Sequence, residues 1–193
     1  MNEERIRKLI RQDVQGMHAY AVQDSTGSIM IRATQPVRVE AQFSSAGAGV
    51  SNVQVEYFRD DINSSSEAKT TLSMTAVAGQ PGLWRATVPG QTDRSIVRYR
   101  ILTDRGAGVQ RVSPRADDPQ AWHAWFVSPV RSSTRPSYEI FISAASLSTL
   151  SSNISQSPRR IVNPDPPGLV RASWSATQPA VVVRDGVVFD VRM

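Results

Sequence analysis

The side chains that could do chemistry are few and widely spaced. His18 and His123 each lack a partner at ligand spacing, and a metal centre needs three or four donors that converge. Both histidines therefore read as surface or satisfied structural residues. Cysteine is absent, which excludes a disulfide, a thiolate nucleophile and any thiolate metal site. The run Asp60-Asp61-Ile62-Asn63-Ser64-Ser65-Ser66-Glu67 offers oxygen ligands in a faintly calcium-loop-like order, but it lacks the glycine that makes the sharp turn of such a loop. Asp117-Asp118 reads as the border of a turn. Neither a Gly-rich phosphate loop nor a Gly-x-Ser-x-Gly elbow occurs. On these grounds no catalytic, cofactor-binding or metal-ligating residue is assigned, and no cofactor is expected.

Composition narrows the frame around those residues. The chain of 193 residues has room for one good core, or for a sandwich plus a smaller remnant. Aromatics make up 7% and hydrophobics 40%, with frequent Gly, Pro and Ser, which suits short strands and many loops. The net charge of +5 is carried almost wholly by arginine, the only lysines being Lys8 and Lys69. These arginines are spread along strand-like segments and accompany no groove-reading helix or RNA-binding aromatic motif, so they read as a solvated face, and no nucleic acid is expected. No apolar run is long enough for a membrane span. The N-terminus Met1-Asn2-Glu3-Glu4-Arg5-Ile6-Arg7-Lys8 lacks the apolar stretch of a secretory signal, so the compartment stays open.

The pattern that must position any site is alternation. Trp84, Ala86 and Val88 alternate with Arg85 and Thr87, and Val97, Tyr99 and Ile101 alternate with Arg98 and Arg100. That period of two belongs to half-buried strands. Pro89–Asp93 and Thr103–Gly108 carry turn signals, and Val109–Val112 reads as a short further strand. Upstream, Val37, Val39, Ala41 and Phe43 face one way, followed by Val53, Val55 and Tyr57, and then by Leu72 and Met74 after a polar loop from Asp60 to Lys69. Six or seven strands between 29 and 112 predict an Ig-like sandwich with Trp84 at its centre. Residues 3 to 15 space Ile6, Leu9, Ile10 and Val14 as a short amphipathic helix. After a Pro-punctuated connection, Trp122–Val127 and Tyr138–Ile142 read as strands, and Ser143 as the N-cap of a helix holding Leu147 and Leu150. Residues 155 to 172 read as a mobile loop. Gln178–Met193 is a β-hairpin, because Asp185-Gly186 between β-branched runs favours a type I′ turn.

Several of these segments resemble a known family. Leu83–Gln91, then Val97–Ile101 and Asp104–Gly106, is similar to the late strands of the Ig-like or fibronectin-III-like domain that precedes the kinase-like domain in bacterial CotH-family (spore-coat-protein-H-like) proteins. Ser113-Pro114, Trp122–Val127, Tyr138–Ser143 and the helix ending at Leu150 resemble the linker and first strand–helix unit of the kinase-like domain. Gln178–Met193 resembles the hairpin that, in the family, leads into an Arg-Tyr-x-Gly-Ser strand. The family's proteins are atypical kinases that use ATP and a divalent metal to phosphorylate serine in other proteins. The nucleotide-contacting Lys and metal-holding acids are expected beyond Met193, so the resemblance carries over no catalytic residue. It implies an extracellular or cell-envelope setting. Separately, Asp13–Gly27 is similar to the N-terminal arm of histidinol-phosphate aminotransferases. That similarity ends at Ile29–Pro36, with no Ser-x-x-Lys segment for a pyridoxal phosphate Schiff base, and the stretch reads as a linker.

The expectation is a mainly β protein: an Ig-like/fibronectin-III-like β-sandwich followed by a small α+β remnant of strand–helix and C-terminal β-hairpin. The segments are 1–28, an N-terminal helix and arm; 29–112, the sandwich; 113–137, a linker with one strand; and 138–193, the start of the kinase-like domain. The expected role is that of a non-catalytic N-terminal portion of a CotH-type kinase whose Ig-like domain contacts a protein partner. The alternative is a stand-alone sandwich that binds a cell-surface protein or glycan. A severed kinase lobe should expose one apolar face formed by Val181, Val183, Val188 and Val191, whereas a self-sufficient module should fold there.

Overall fold

In Val37–Phe43 the alternation is realised residue by residue: Val37, Val39, Ala41 and Phe43 are buried while Arg38, Glu40 and Gln42 between them are half-buried. The structure is a computed structural model in which residues 11–12, 17–19, 23–24, 31–43, 49–64, 66–105, 110–115, 117, 121–130, 137–156, 161–163, 169–171 and 177–192 are described. It is mainly β, with a single helix among the described residues. The chain divides into two units, Met1–Asp61 with Ser66–Thr134, and Ile62–Ser65 with Arg135–Met193. Among the described residues no helix is long and apolar enough to cross a membrane.

Among the described residues the first unit holds eleven strands: β1 Arg11–Gln12, β2 Met17–Ala19, β3 Gln23–Asp24, β4 Val37–Phe43, β5 Val50–Asp60, β6 Thr70–Ser73, β7 Thr75–Ala76, β8 Leu83–Val88, β9 Ile96–Arg105, β10 Gln110–Ser113 and β11 His123–Phe126. They form two antiparallel sheets. One runs β1-β2-β4-β8-β7, with β3 also paired to β4; the other runs β10-β9-β5-β6, with β11 also paired to β9. In each sheet one strand serves as the spine. β2 and β3 lie in tandem along β4, at Ala41–Phe43 and Val37–Arg38. In the same way β10 and β11 lie in tandem along β9, at Ile101–Asp104 and Ile96–Tyr99.

One core unites the two sheets, with Val37, Val39 and Val88 from the first and Val53, Val55, Val97, Tyr99 and Ile101 from the second. Each large side chain buried there stabilises the fold by about 1.5–3 kcal/mol before entropy is subtracted. The chain changes sheets at Met74, between β6 and β7. Its side chain is buried and its N–H donates to Val53 O at 2.8 Å. A bulge interrupts the β5–β9 register between Ser51 and Gln54. Asn52, at φ 48°, donates to Asp104 there, and the Thr103 hydroxyl donates to Ser51 O at 3.0 Å. Gly90 has no room for a side chain, because a Cβ would overlap the Thr34 carbonyl; the approach lets Thr34 N–H reach Gln91 O at 2.8 Å.

Seven strands, β4 to β10, fall where six or seven are expected, the last ending at Ser113. The boundaries differ from 29–112 at both ends. β1 to β3 belong to the sheet of β4, and β11 continues the sheet of β9, so the first unit reaches Thr134 rather than stopping before a linker. Arg11–Gln12, within the stretch expected to be helical, is a strand because it pairs with His18–Ala19; the rest of residues 3 to 15, like most of the aminotransferase-like arm, lies outside the described residues. β9 runs on to Arg105, past the turn expected from Thr103, because β5 and β10 both pair with its far end. Trp84 is only half-buried, at the end of β8 beside the two-residue edge strand β7. Trp125 is instead buried, 5% exposed.

The second unit contains β12 Tyr138–Ile142, α1 Ala144–Gln156, β13 Ile161–Asn163, β14 Leu169–Arg171, β15 Pro179–Arg184 and β16 Val187–Arg192. Ser143 caps α1 as expected: its hydroxyl accepts Ser146 N–H at 3.1 Å, and Asn63 Oδ1 accepts the N–H of Ala144 at 2.8 Å. Leu150 is half-buried and Leu147 is exposed, while Ser146 is buried. Residues 155 to 172 are not the irregular loop expected, for β13 and β14 pair with Ile161 opposite Arg171. The β-branched and aliphatic residues of Ile161–Asn163 and Leu169–Arg171 favour pairing as strands, and residues 164 to 168 between them lie outside the described residues.

β12, β15 and β16 form a three-stranded sheet in that order. Asp185 and Gly186 have φ of 50° and 83°, the signature of the type I′ turn. This two-residue turn sets Arg184 opposite Val187, so Val183 meets Val188 and Ala180 meets Val191. Val191 therefore lies on the opposite face from Val181, Val183 and Val188, which corrects the expected grouping. Val181 and Val183 are buried, at 6% and 2% exposure. The other face carries Tyr138, Ile140, Val187 and Phe189, all exposed.

Candidate functional site

The register of the second sheet builds a surface patch. His123 pairs with Tyr99 and Ala124 with Arg98, so Trp122, one residue earlier, arrives at Arg100. On the far side of β9, Glu56 pairs with Arg100 and Phe58 with Arg98. Antiparallel partners share a face. Phe58, Arg98, Arg100, Glu56 and Trp122 are thereby gathered on the side of the sheet away from the core, and β6 is preceded by Lys69.

The contacts within this patch are specific. Arg100 Cζ lies 4.4 Å from the centroid of the Trp122 ring and Lys69 Nζ lies 5.2 Å from it; Phe58 meets the ring edge-on, with centroids 4.8 Å apart and planes at 87°. Arg100 Nε donates to Glu56 Oε2 at 2.6 Å and Arg98 Nε to Asp60 Oδ2 at 2.7 Å. These four side chains are 13–24% exposed. At such depth each charge needs its partner, because a lone half-buried guanidinium or carboxylate loses solvation it cannot recover. The result is a half-buried tryptophan fixed in place by two cations and a phenyl edge, with the carboxylates supplying compensation.

Beneath the patch, on the core side, the Tyr99 ring packs at a tilt against His123 at 5.1 Å and Trp125 at 5.2 Å between centroids. Burial pushes the Tyr99 hydroxyl above the ordinary phenol range, so it stays protonated in the folded chain.

The residues singled out from the sequence are not brought together. His123 is half-buried on β11 against Tyr99. The backbone of His18 lies in β2, and its side chain is outside the described residues. In the calcium-like run, Asp60 is engaged by Arg98, Glu67 accepts the Asp61 N–H at 3.3 Å, and Asn63 accepts the N–H of Ala144. Those oxygens already serve the fold. Asp117 is exposed, and its hydrogen bond from Arg115, at 2.9 Å from Nε, holds its carboxyl below the usual range; Asp118 lies outside the described residues, as does Lys8. Among the described residues no group of three or more His, Asp or Glu is placed to hold a metal. The donors that do cluster, Glu56 and Asp60, are matched by arginines, an arrangement that does not fit a divalent cation.

Sequence reasoning passed over Trp122, Phe58 and Lys69 as a group. The signal lay in pairing two alternating strands: once Trp125 and His123 are set on the core side of β11, Trp122 and Ala124 must point outward toward the arginines of β9. Compared with family models and with curated proteins, the chain matches none.

Proposed function

We propose that the chain is the non-catalytic N-terminal portion of a CotH-type atypical protein kinase, and that its first unit is an Ig-like accessory domain that binds a protein partner. The observation that carries the binding role is the Trp122 patch. Tryptophan and arginine are the residue types most concentrated at the energetic centres of protein interfaces. A ring already held by Arg100, Lys69 and Phe58 loses little side-chain freedom on binding, which lowers the entropic cost of association.

The strand order supports the Ig-like part of this reading. β3-β4-β8-β7 over β6-β5-β9-β10 follows the A-B-E-D and C′-C-F-G order of immunoglobulin-type sandwiches. The chain departs from that pattern in having no cysteine pair, and Trp125 on β11 supplies the buried tryptophan. The kinase-like part rests on the succession of β12, capped α1 and the Asp185-Gly186 hairpin, in the order the resembling segments require. None of the described residues is assigned a part in phosphoryl transfer.

The test is direct. Purified chain incubated with labelled ATP, magnesium or manganese and a serine-rich acceptor protein should transfer no phosphate above background; transfer that depends on this chain would sink the proposal. A second reading, a stand-alone module for a cell-surface protein or glycan, is favoured by the burial of Val181 and Val183, which a severed lobe would leave open. Hydrogen exchange separates the two, since amide protection in β15 and β16 equal to that in β9 belongs to a complete module.

A further inference from the structure

We infer that the open edge of β6 receives an extended segment of a partner protein as an added antiparallel strand, with an acidic side chain set opposite Lys69. The inference rests on the reading of the Trp122 surface as the partner-binding face, and names what that face takes.

The backbone comes first. β5 and β6 pair with Val55 opposite Leu72 and Glu56 opposite Thr71. In the same register Met74 falls opposite Val53, and its N–H donates to Val53 O at 2.8 Å, which makes theirs a hydrogen-bonded pair. The pattern alternates along an antiparallel ladder, so Leu72 and Thr70 bond to β5, whereas Thr71 and Ser73 aim N–H and C=O away from it. β6 ends its sheet, and among the described residues no strand lies on its other side. Thr70, Thr71 and Ser73 are exposed, while Leu72 is half-buried against the core. An open edge of this kind is a template for another strand. Peptides recognised in this way take their affinity from main-chain bonds and their specificity from alternate side chains.

Charge then selects the occupant. Continuing the register places Lys69 opposite Phe58, on the face that carries Trp122. On that face Arg98 and Arg100 are matched by Asp60 and Glu56. Lys69 is exposed and lies over the Trp122 ring, and among the described residues no carboxylate pairs with it. The surface therefore ends, at the edge of β6, in one positive charge that nothing offsets. A second copy of β6 does not answer it. Two-fold pairing centred on Thr70, Thr71, Leu72 or Ser73 sets Thr71, Ser73, Thr75 or Val77 opposite Lys69, never an acid. A strand of another protein with Asp or Glu at that position does, because opposite charges on neighbouring strands attract. Its residue three places earlier falls opposite Leu72, at a non-hydrogen-bonded pair where Cα atoms approach to about 4.5 Å. An apolar side chain there covers the open flank of Leu72. The partner segment is thus extended, with an apolar residue followed three places later by an acid.

The probe is a fluorescein-labelled, end-capped peptide, Thr-Val-Thr-Val-Glu-Thr, and its counterpart with Lys in place of Glu, each titrated with the full chain and followed by anisotropy. The Glu peptide should bind with a Kd of about 10–200 μM, at least about threefold tighter than the Lys peptide, and high salt should shrink that preference. Thr71→Pro removes an outward N–H from an edge strand, where proline is tolerated, and should weaken binding at least about tenfold. Lys69→Glu, at an exposed side chain, should reverse the preference, and this arm stands even where Thr71→Pro loses its circular dichroism. Trp122→Ala separates the two readings. Binding lost in both Thr71→Pro and Trp122→Ala upholds both, and binding lost in Thr71→Pro alone upholds the added strand while removing Trp122 from it. Binding lost in Trp122→Ala alone would overturn the inference and leave the Trp122 reading standing. No binding of either peptide, equal binding of both, or dimerisation of the chain itself in sedimentation velocity that Thr71→Pro abolishes would each overturn it as well.

Discussion

The two units obey the same alternating code and arrive at different ends. In the first, β4 and β9 bury one face completely against a second sheet, and even the outward face of β9 is largely closed, with Ile96 and Leu102 at 4% and 7% exposure. In the second, one face of the β12-β15-β16 sheet is buried at Val181 and Val183, while Ile140 on the other is 56% exposed. Alternation dictates that a strand has two faces. How many of them are covered depends on what else the chain brings to them.

Substitutions can sharpen or break that contrast. Ile101→Ala should cost the first unit about 2–5 kcal/mol, because Ile101 is fully buried between the sheets and the cavity cannot collapse. Urea unfolding followed by the fluorescence of Trp84, Trp122 and Trp125, all in that unit, would read the loss. An intermediate effect is expected from Gly186→Ala, at about 1–2 kcal/mol, since φ of 83° forces a β-carbon against the backbone. It should appear as lost amide protection confined to β15 and β16, and equal loss in β9 would show that the units do not unfold separately. Ile140→Ala should change stability by no more than about 0.5 kcal/mol, as an exposed side chain has little burial to lose. If it costs as much as Ile101→Ala, the exposed face is covered in solution and the contrast fails.

Much of the architecture was legible. Strict alternation identified β4 and the core face of β9, the Asp185-Gly186 pair identified the hairpin, and Ser143 identified the start of the helix. Sheet membership was not, because β1, β2, β3 and β7 are two or three residues long. Their place is decided by the strands they pair with, β2 and β3 by β4, β1 by β2 and β7 by β8, rather than by their own composition. Trp84 and Trp125 show the same limit: both face inward, and only the full layout reveals that one sits at the end of its strand and the other against Tyr99. The Trp122 patch escaped notice because it is a product of register between residues that stand far apart along the chain. β13 and β14 were hidden by the prolines in the sequence between them.

Met74 is a single residue of passage between sheets, and it bears on how the first unit assembles. β5 and β6 form a hairpin within one sheet, β7 and β8 a hairpin within the other, and Met74 joins the two back to back. Each hairpin closes a short loop, at small entropic cost. Once both exist, the covalent link at Met74 has already brought the two layers into contact before β4 pairs with β8 and β9 with β5 across longer stretches of chain. A topology dominated by long-range pairing thereby gains a local seed, which should speed its folding relative to sandwiches whose layers meet only through distant strands.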